Sequence, residues 1–164
     1  MSADQHASAG WLQVLPLLVI GVMAFMLWRP ALDPPPTAEQ EKKIADLAAR
    51  LGSASSTAMD LDDRLRSFGQ FPPDPTASRA LADALVACGT SGLDESRRTQ
   101  LARDIYRITV VGDNWATVIP AALTGIQHTM AGAGPACGPT GIDRLVNAAR
   151  ATASIDPNRR RDWW

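Results

Sequence analysis

This sequence carries very little of what enzymes and metal sites are built from. Its 164 residues include two histidines, two cysteines and one tyrosine, and aromatic residues make up 5% of the chain. Two cysteines cannot form a disulfide-rich scaffold or a four-cysteine zinc site. His6 precedes a long apolar segment, which leaves His128 without a fourth metal ligand at a recognised spacing. The sequence has no G-x-S-x-G, S-x-x-K, H-E-x-x-H or phosphate-binding loop. Asp60, Asp62 and Asp63 cluster, but the glycine and distal glutamate of a calcium loop are missing, so they read as a solvated face beside Arg64 and Arg66. Sixteen Lys and Arg against 17 Asp and Glu give a net charge of -1, without the dense cationic face that displaces counterions from nucleic acid. Sustained β alternation is also lacking; Thr109-Val110-Val111 resembles a short strand but has no partner. These absences argue against an enzyme, a cofactor, a metal or a nucleic-acid partner.

Charge is missing most conspicuously from residues 11–28, WLQVLPLLVIGVMAFMLW, where Gln13 is the one strongly polar side chain. A helix of that length covers roughly 27 Å, close to the hydrocarbon thickness of a bilayer. Trp11 and Trp28 bracket the run where indoles prefer the two water interfaces, and Arg29 follows where it can snorkel. Pro16 lies near the start, where a missing N–H costs least. The tail 1–10 has no Lys or Arg and no A-x-A site follows the run, so a retained anchor is expected rather than a cleaved signal. Sidedness draws on opposing cues. Arg29, Lys42 and Lys43 after the helix pull the C-terminal part to the cytoplasm by the positive-inside rule. A structural cysteine pair needs an oxidising compartment, and with the proline stalk it favours the outer, periplasmic side of an inner membrane.

Residues 29–36, RPALDPPP, hold four prolines and form an extended spacer that no helix can cross. In 37–68, Thr37 and Gln40 form a capping-box pattern. Ile44, Leu47, Leu51, Ala54, Ala58, Leu61, Leu65 and Phe68 then recur at alternating spacings of three and four, the signature of a two-helix seam. Gly52, Ser53, Ser55, Ser56 and Thr57 are weak helix formers in its middle, costing about 2–3 kcal/mol in a continuous helix. A break at Gly52, with Thr57 and Asp60 capping a second helix, is therefore favoured over one long coiled-coil strand that would pair two copies of the chain.

Residues 74–155 read as a small all-α domain, giving about four to six helices behind the anchor and stalk. Asp74 and Pro75 open a helix carrying Ala80, Leu81, Ala84, Leu85 and Cys88. Asp94 or Ser91 opens the next, with Leu101, Ile105, Ile108 and Val111 inward. Asp113 or Asn114 opens a third, with Trp115, Val118, Ile119, Ala122, Leu123, Ile126 and Met130 on one side and Pro120 as a kink or late start. A last helix runs from Ile142 to about Ala153 through Leu145, Val146 and Ala149. Residues 88–94 and 137–143 both read C-G-x-[ST]-G-[LI]-D, which suggests two related helical hairpins with Cys88 and Cys137 at equivalent positions. A bond between them would staple a domain of marginal size.

The tail 156–164 ends in Arg159, Arg160, Arg161, Asp162, Trp163 and Trp164, a basic–aromatic group of types enriched at binding hot spots that can dock into a partner, fold back onto the domain or, third, touch lipid headgroups. The expectation is a single-pass, non-enzymatic accessory or assembly subunit of a bacterial-type membrane complex. Its contact candidates are Trp115, Arg159, Arg160, Arg161, Trp163 and Trp164, with Ile44, Leu47, Leu51, Leu61, Leu65 and Phe68 along the seam. The competing expectation is an envelope thiol-redox or hydrolytic enzyme using His128 and Cys137.

Overall fold

The computed structural model describes residues 36–68, 73–110, 115–131, 133 and 137–153. The chain divides into two compact units, 1–35 and 36–164, and the described residues belong to the second. The expected anchor 11–28, with Trp11, Trp28 and Arg29, the spacer up to Pro35 and the tail with Arg159, Arg160, Arg161, Trp163 and Trp164 lie outside them. Among the described residues no helix is long and apolar enough to cross a membrane.

What is described is all-helical: α1 (Ala38–Gly52), α2 (Ala58–Arg66), α3 (Pro75–Ala87), a 3-10 turn (Thr90–Gly92), α4 (Glu95–Val110), α5 (Trp115–Ala131) and α6 (Pro139–Thr152). The heptad segment breaks where its helix formers fail. Both of its helices start with a reciprocal capping box, Thr37 with Gln40 and Thr57 with Asp60, so each exchanges two otherwise orphaned N–H groups for side-chain bonds. The backbone N–H and hydroxyl of Thr57, with Arg50 and Arg64 nearby, hold the Asp60 carboxyl below the usual aspartate range. Between the two helices the Ser56 hydroxyl donates to the Arg50 carbonyl at 2.7 Å, closing the turn.

The break turns the apolar stripe back into the protein. Ile44, Leu47, Leu51, Leu61 and Leu65 are each no more than 1% exposed, and Phe68 is 4% exposed with its ring edge-on to Tyr106 at 5.6 Å. The six seam residues thus form core, and the expected contact with a partner is corrected at these positions: their surface is already covered by the chain's own helices. Ala54, in the middle of the seam, is exposed in the turn.

Six helices pack as two runs of three. Neighbours in sequence pack within each run, α1 on α2 on α3 and α4 on α5 on α6, and the runs meet along two seams, α1 against α4 and α3 against α6. At the first seam Arg103 reaches Glu41 at 3.4 Å, and the Thr90 hydroxyl donates to the Leu51 carbonyl at 3.1 Å. Leu81, Leu85, Leu101, Ile105, Ile126, Met130 and Leu145 join the same core. Ala80, expected inside, is exposed instead, because the buried face of α3 rotates onto Ser78, Ala82 and Leu85. The 109–111 stretch is helical through Val110, and Pro120 lies within α5, which continues past it.

The repeated seven-residue motif does not repeat in structure. After Cys88 the chain turns through Gly89 at φ 64° and a 3-10 turn, and Asp94 then accepts from the Arg97 N–H at 2.8 Å to open α4. After Cys137, Gly138 is extended at φ -65° and α6 begins at once, so Thr140 to Asp143 are already helical. Pro139 is the physical reason: at the first helical position its φ is preset and it has no N–H to satisfy.

Two substitutions test this packing. Leu65→Ala should lower unfolding stability by about 2–5 kcal/mol, since it empties a fully covered site. Thr57→Ala, removing one cap, should cost about 1 kcal/mol; both are read from urea unfolding curves.

Candidate functional site

The α3–α6 seam holds the most distinctive chemistry of the described residues. Cys88 is the C-cap of α3, and Cys137 immediately precedes Gly138, the N-cap of α6. Their sulfurs are joined as a disulfide across 49 positions of sequence, and both cysteines are buried. Gly141 of α6 packs against the bridge. A Cβ placed there would lie 3.4 Å from the Cys137 Sγ and 3.5 Å from the Cys88 Sγ, at contact distance, so a side chain that branches beyond it meets the bridge.

Beside the bridge lies a cleft of about 310 Å³. Ala84, Ala87 and Cys88 form the α3 wall, and residues 138–141 with Arg144 form the α6 wall. Arg144 is the sole charge among the lining residues. The cleft is small, mostly apolar and open, a shape that admits a short side chain or a small solute rather than a large substrate.

The buried carboxylates lie elsewhere. Asp104, on α4, is 2% exposed; it accepts from the Gln100 amide at 3.0 Å and pairs with Arg107 at 3.6 Å. Gly125 of α5 makes room for it, since a Cβ there would come within 2.8 Å of the Asp104 Cγ. Burial pushes the Asp104 carboxyl above the usual aspartate range, against the lowering effect of the Gln100 hydrogen bond and Arg107. Asp62 of α2 accepts from the Ser78 hydroxyl of α3 at 2.5 Å and lies 3.9 Å from Arg66, a polar pin between the two helices. Each acid is matched to donors of the fold, and no described side-chain polar atom is buried without a partner. Both are structural pins rather than groups facing an opening.

Of the residues singled out in the sequence, the structure brings together Cys88 and Cys137. Trp115 opens α5, and its side chain lies outside the described part. His128 is exposed on α5, and the Cys137 sulfur is bonded to Cys88, so the pair does not present a free thiol beside a base. Among the described residues no group of three or more His, Cys, Asp or Glu is placed to hold a metal ion. Neither Arg144 nor Asp104 carries a signal in the sequence, and Thr140 does so only as a member of the repeated motif. The repeated C-G-x-[ST]-G pattern did mark Gly141, though for a turn it does not make. No protein family, curated protein or solved structure matches this chain.

Removing the bridge with Cys137→Ser, or with Cys88→Ser, should lower stability by about 4 kcal/mol, the loop-closure value for a ring of this size. Gly141→Leu should destabilise the oxidised protein far more than the reduced one, as thermal melts with and without reductant would reveal. For Asp104 the sign follows from its raised folded-state pKa. Its contribution is fully present below the ordinary value of 3.8 and is lost as pH rises through the folded-state value. The parent should therefore lose stability relative to Asp104→Asn on going from acid to neutral pH, measured as paired unfolding curves.

Proposed function

We propose that this chain is a membrane-tethered, non-enzymatic accessory or assembly subunit that presents a disulfide-braced helical domain to a protein partner. The uncharged run 11–28, flanked by Trp11, Trp28 and Arg29 and followed by a proline spacer, carries this reading. A segment that would be apolar on every side of a helix finds its cover in lipid. The tail with Arg159, Arg160, Arg161, Trp163 and Trp164 supplies the contact chemistry, with Trp115 as a further candidate.

The oxidised pair Cys88–Cys137 supports placement of the domain on the oxidising, extracytoplasmic side, against the cue from Lys42 and Lys43. The seam residues 44–68 drop out of the contact set because they are core. Pairing of two copies through that stripe loses its motive for the same reason.

The full-length protein should stay in the membrane pellet through carbonate extraction and leave it in detergent. Recovery in the soluble fraction after cell breakage would end the proposal. Deleting residues 162–164 should abolish co-purification of the partner while leaving the thermal unfolding midpoint within about 2 °C of the parent, because the deletion touches no described core residue. On intact cells, a polyethylene glycol maleimide should label the domain only after reductant is added.

A further inference from the structure

We infer that the α3–α6 cleft is the resting seat of this chain's own basic–aromatic tail, with an indole of Trp163 or Trp164 in the hollow and Asp162 on Arg144. The hollow suits one large side chain. Its volume of about 310 Å³ lies at the small end of ligand sites, which run from about 300 to 1,000 Å³. Its walls are short and apolar, Ala84 and Ala87 on one side and Pro139 and Gly141 on the other, so a flat ring enters without displacing a long side chain.

The tail reaches the cleft with slack. Ala153 caps the C-terminus of α6, and the cleft lies against the start of the same helix. Residues 154–162 span up to about 30 Å when extended, against about 12 Å along the axis of α6 from Thr152 back to Arg144. Tail and cleft belong to the same compact unit of the chain.

The order of the charges also matches. A tail running back along α6 passes Arg144 and Asp143, at one level of the helix, before the cleft wall at 139–141. Both side chains are exposed, and neither has an ion-pair partner among the described residues. In its own direction the tail offers Arg159, Arg160 and Arg161, then Asp162, then the two tryptophans. The arginines thus meet Asp143, Asp162 meets Arg144, and the indoles arrive at the hollow. Exposed ion pairs contribute little each, so the closure is slight and directed mainly by the ring. It opens locally long before the core does and leaves the unfolding midpoint in place. The docking does not depend on the membrane tether. Its consequence rests on the proposed function: a partner that uses the tail binds only the undocked fraction, which lowers its apparent affinity.

The test replaces Trp164 with the photo-cross-linker p-benzoylphenylalanine in the full-length oxidised protein and maps the products by peptide mass spectrometry. Cross-links should fall in residues 84–88 and 138–144, and their yield should hold over about a hundredfold dilution, as for an intramolecular contact. Arg144→Glu should cut that yield about three- to tenfold, and Asp162→Arg in the same chain should restore it to within about twofold of the parent. Cross-links mapped elsewhere, a yield that falls on dilution as contact between two copies would make it, or no loss with Arg144→Glu would overturn the inference. Partner capture that still needs residues 162–164 while the cross-links map elsewhere sinks this inference alone. Cross-links at the cleft, with no partner lost on that deletion, support the docking and count against the proposed function alone.

Discussion

Two three-helix runs have to be held face to face, and this domain depends on that constraint most of all. No run can cover its own apolar stripe: α1 needs α4, and α3 needs α6. The first seam is closed by leucines with a rim of polar contacts, Arg103 to Glu41 and Thr90 to the Leu51 carbonyl. The second is closed covalently, by Cys88 and Cys137. The two devices suit their places. The α1–α4 seam has large side chains to bury, Ile44, Leu47 and Leu51 against Leu101 and Ile105. At the end of the α3–α6 seam the facing residues are small, Ala84, Ala87 and Gly141, and bury little area apiece, so a covalent tie replaces hydrophobic contact there.

The same economy explains the polar interior. A domain of this size has few layers, and a carboxylate on an inward face cannot avoid burial. Asp62 and Asp104 are each kept by donors on the same or the adjacent helix, Ser78 and Arg66 for one, Gln100 and Arg107 for the other. Such pins contribute little net stability, because desolvation consumes most of the attraction. What they add is register, since removing either partner strands a buried charge.

Function, on this view, belongs to the ends of the chain more than to the middle. The helical core is fully committed to packing. Among the described residues the exposed large apolar side chains are Met59 of α2 and Val86 of α3. The disulfide braces the helical domain where the end of α3 meets the start of α6.

Local chemistry was legible in the sequence wherever a short-range rule sufficed. The capping boxes at Thr37 and Thr57, the Asp74-Pro75 helix start, the break after Gly52 and the all-helical class follow from propensities and side-chain bonds spanning three or four residues, which tertiary contacts do not alter. Periodicity identified most of the core for the same reason. It could not say what each stripe would face, so the seam 44–68 looked outward from sequence and is inward in fact. It also could not separate two identical motifs, because Pro139 starts a helix where Thr90 makes a turn. The cysteine pairing is suggested by the repeated motif around the two cysteines, but the cleft, the fit of Gly141 against the bridge and the burial of Asp104 against Gly125 are decided only by tertiary structure. They depend on which helices lie side by side, and that is settled by how six stripes jointly exclude water rather than by any one of them.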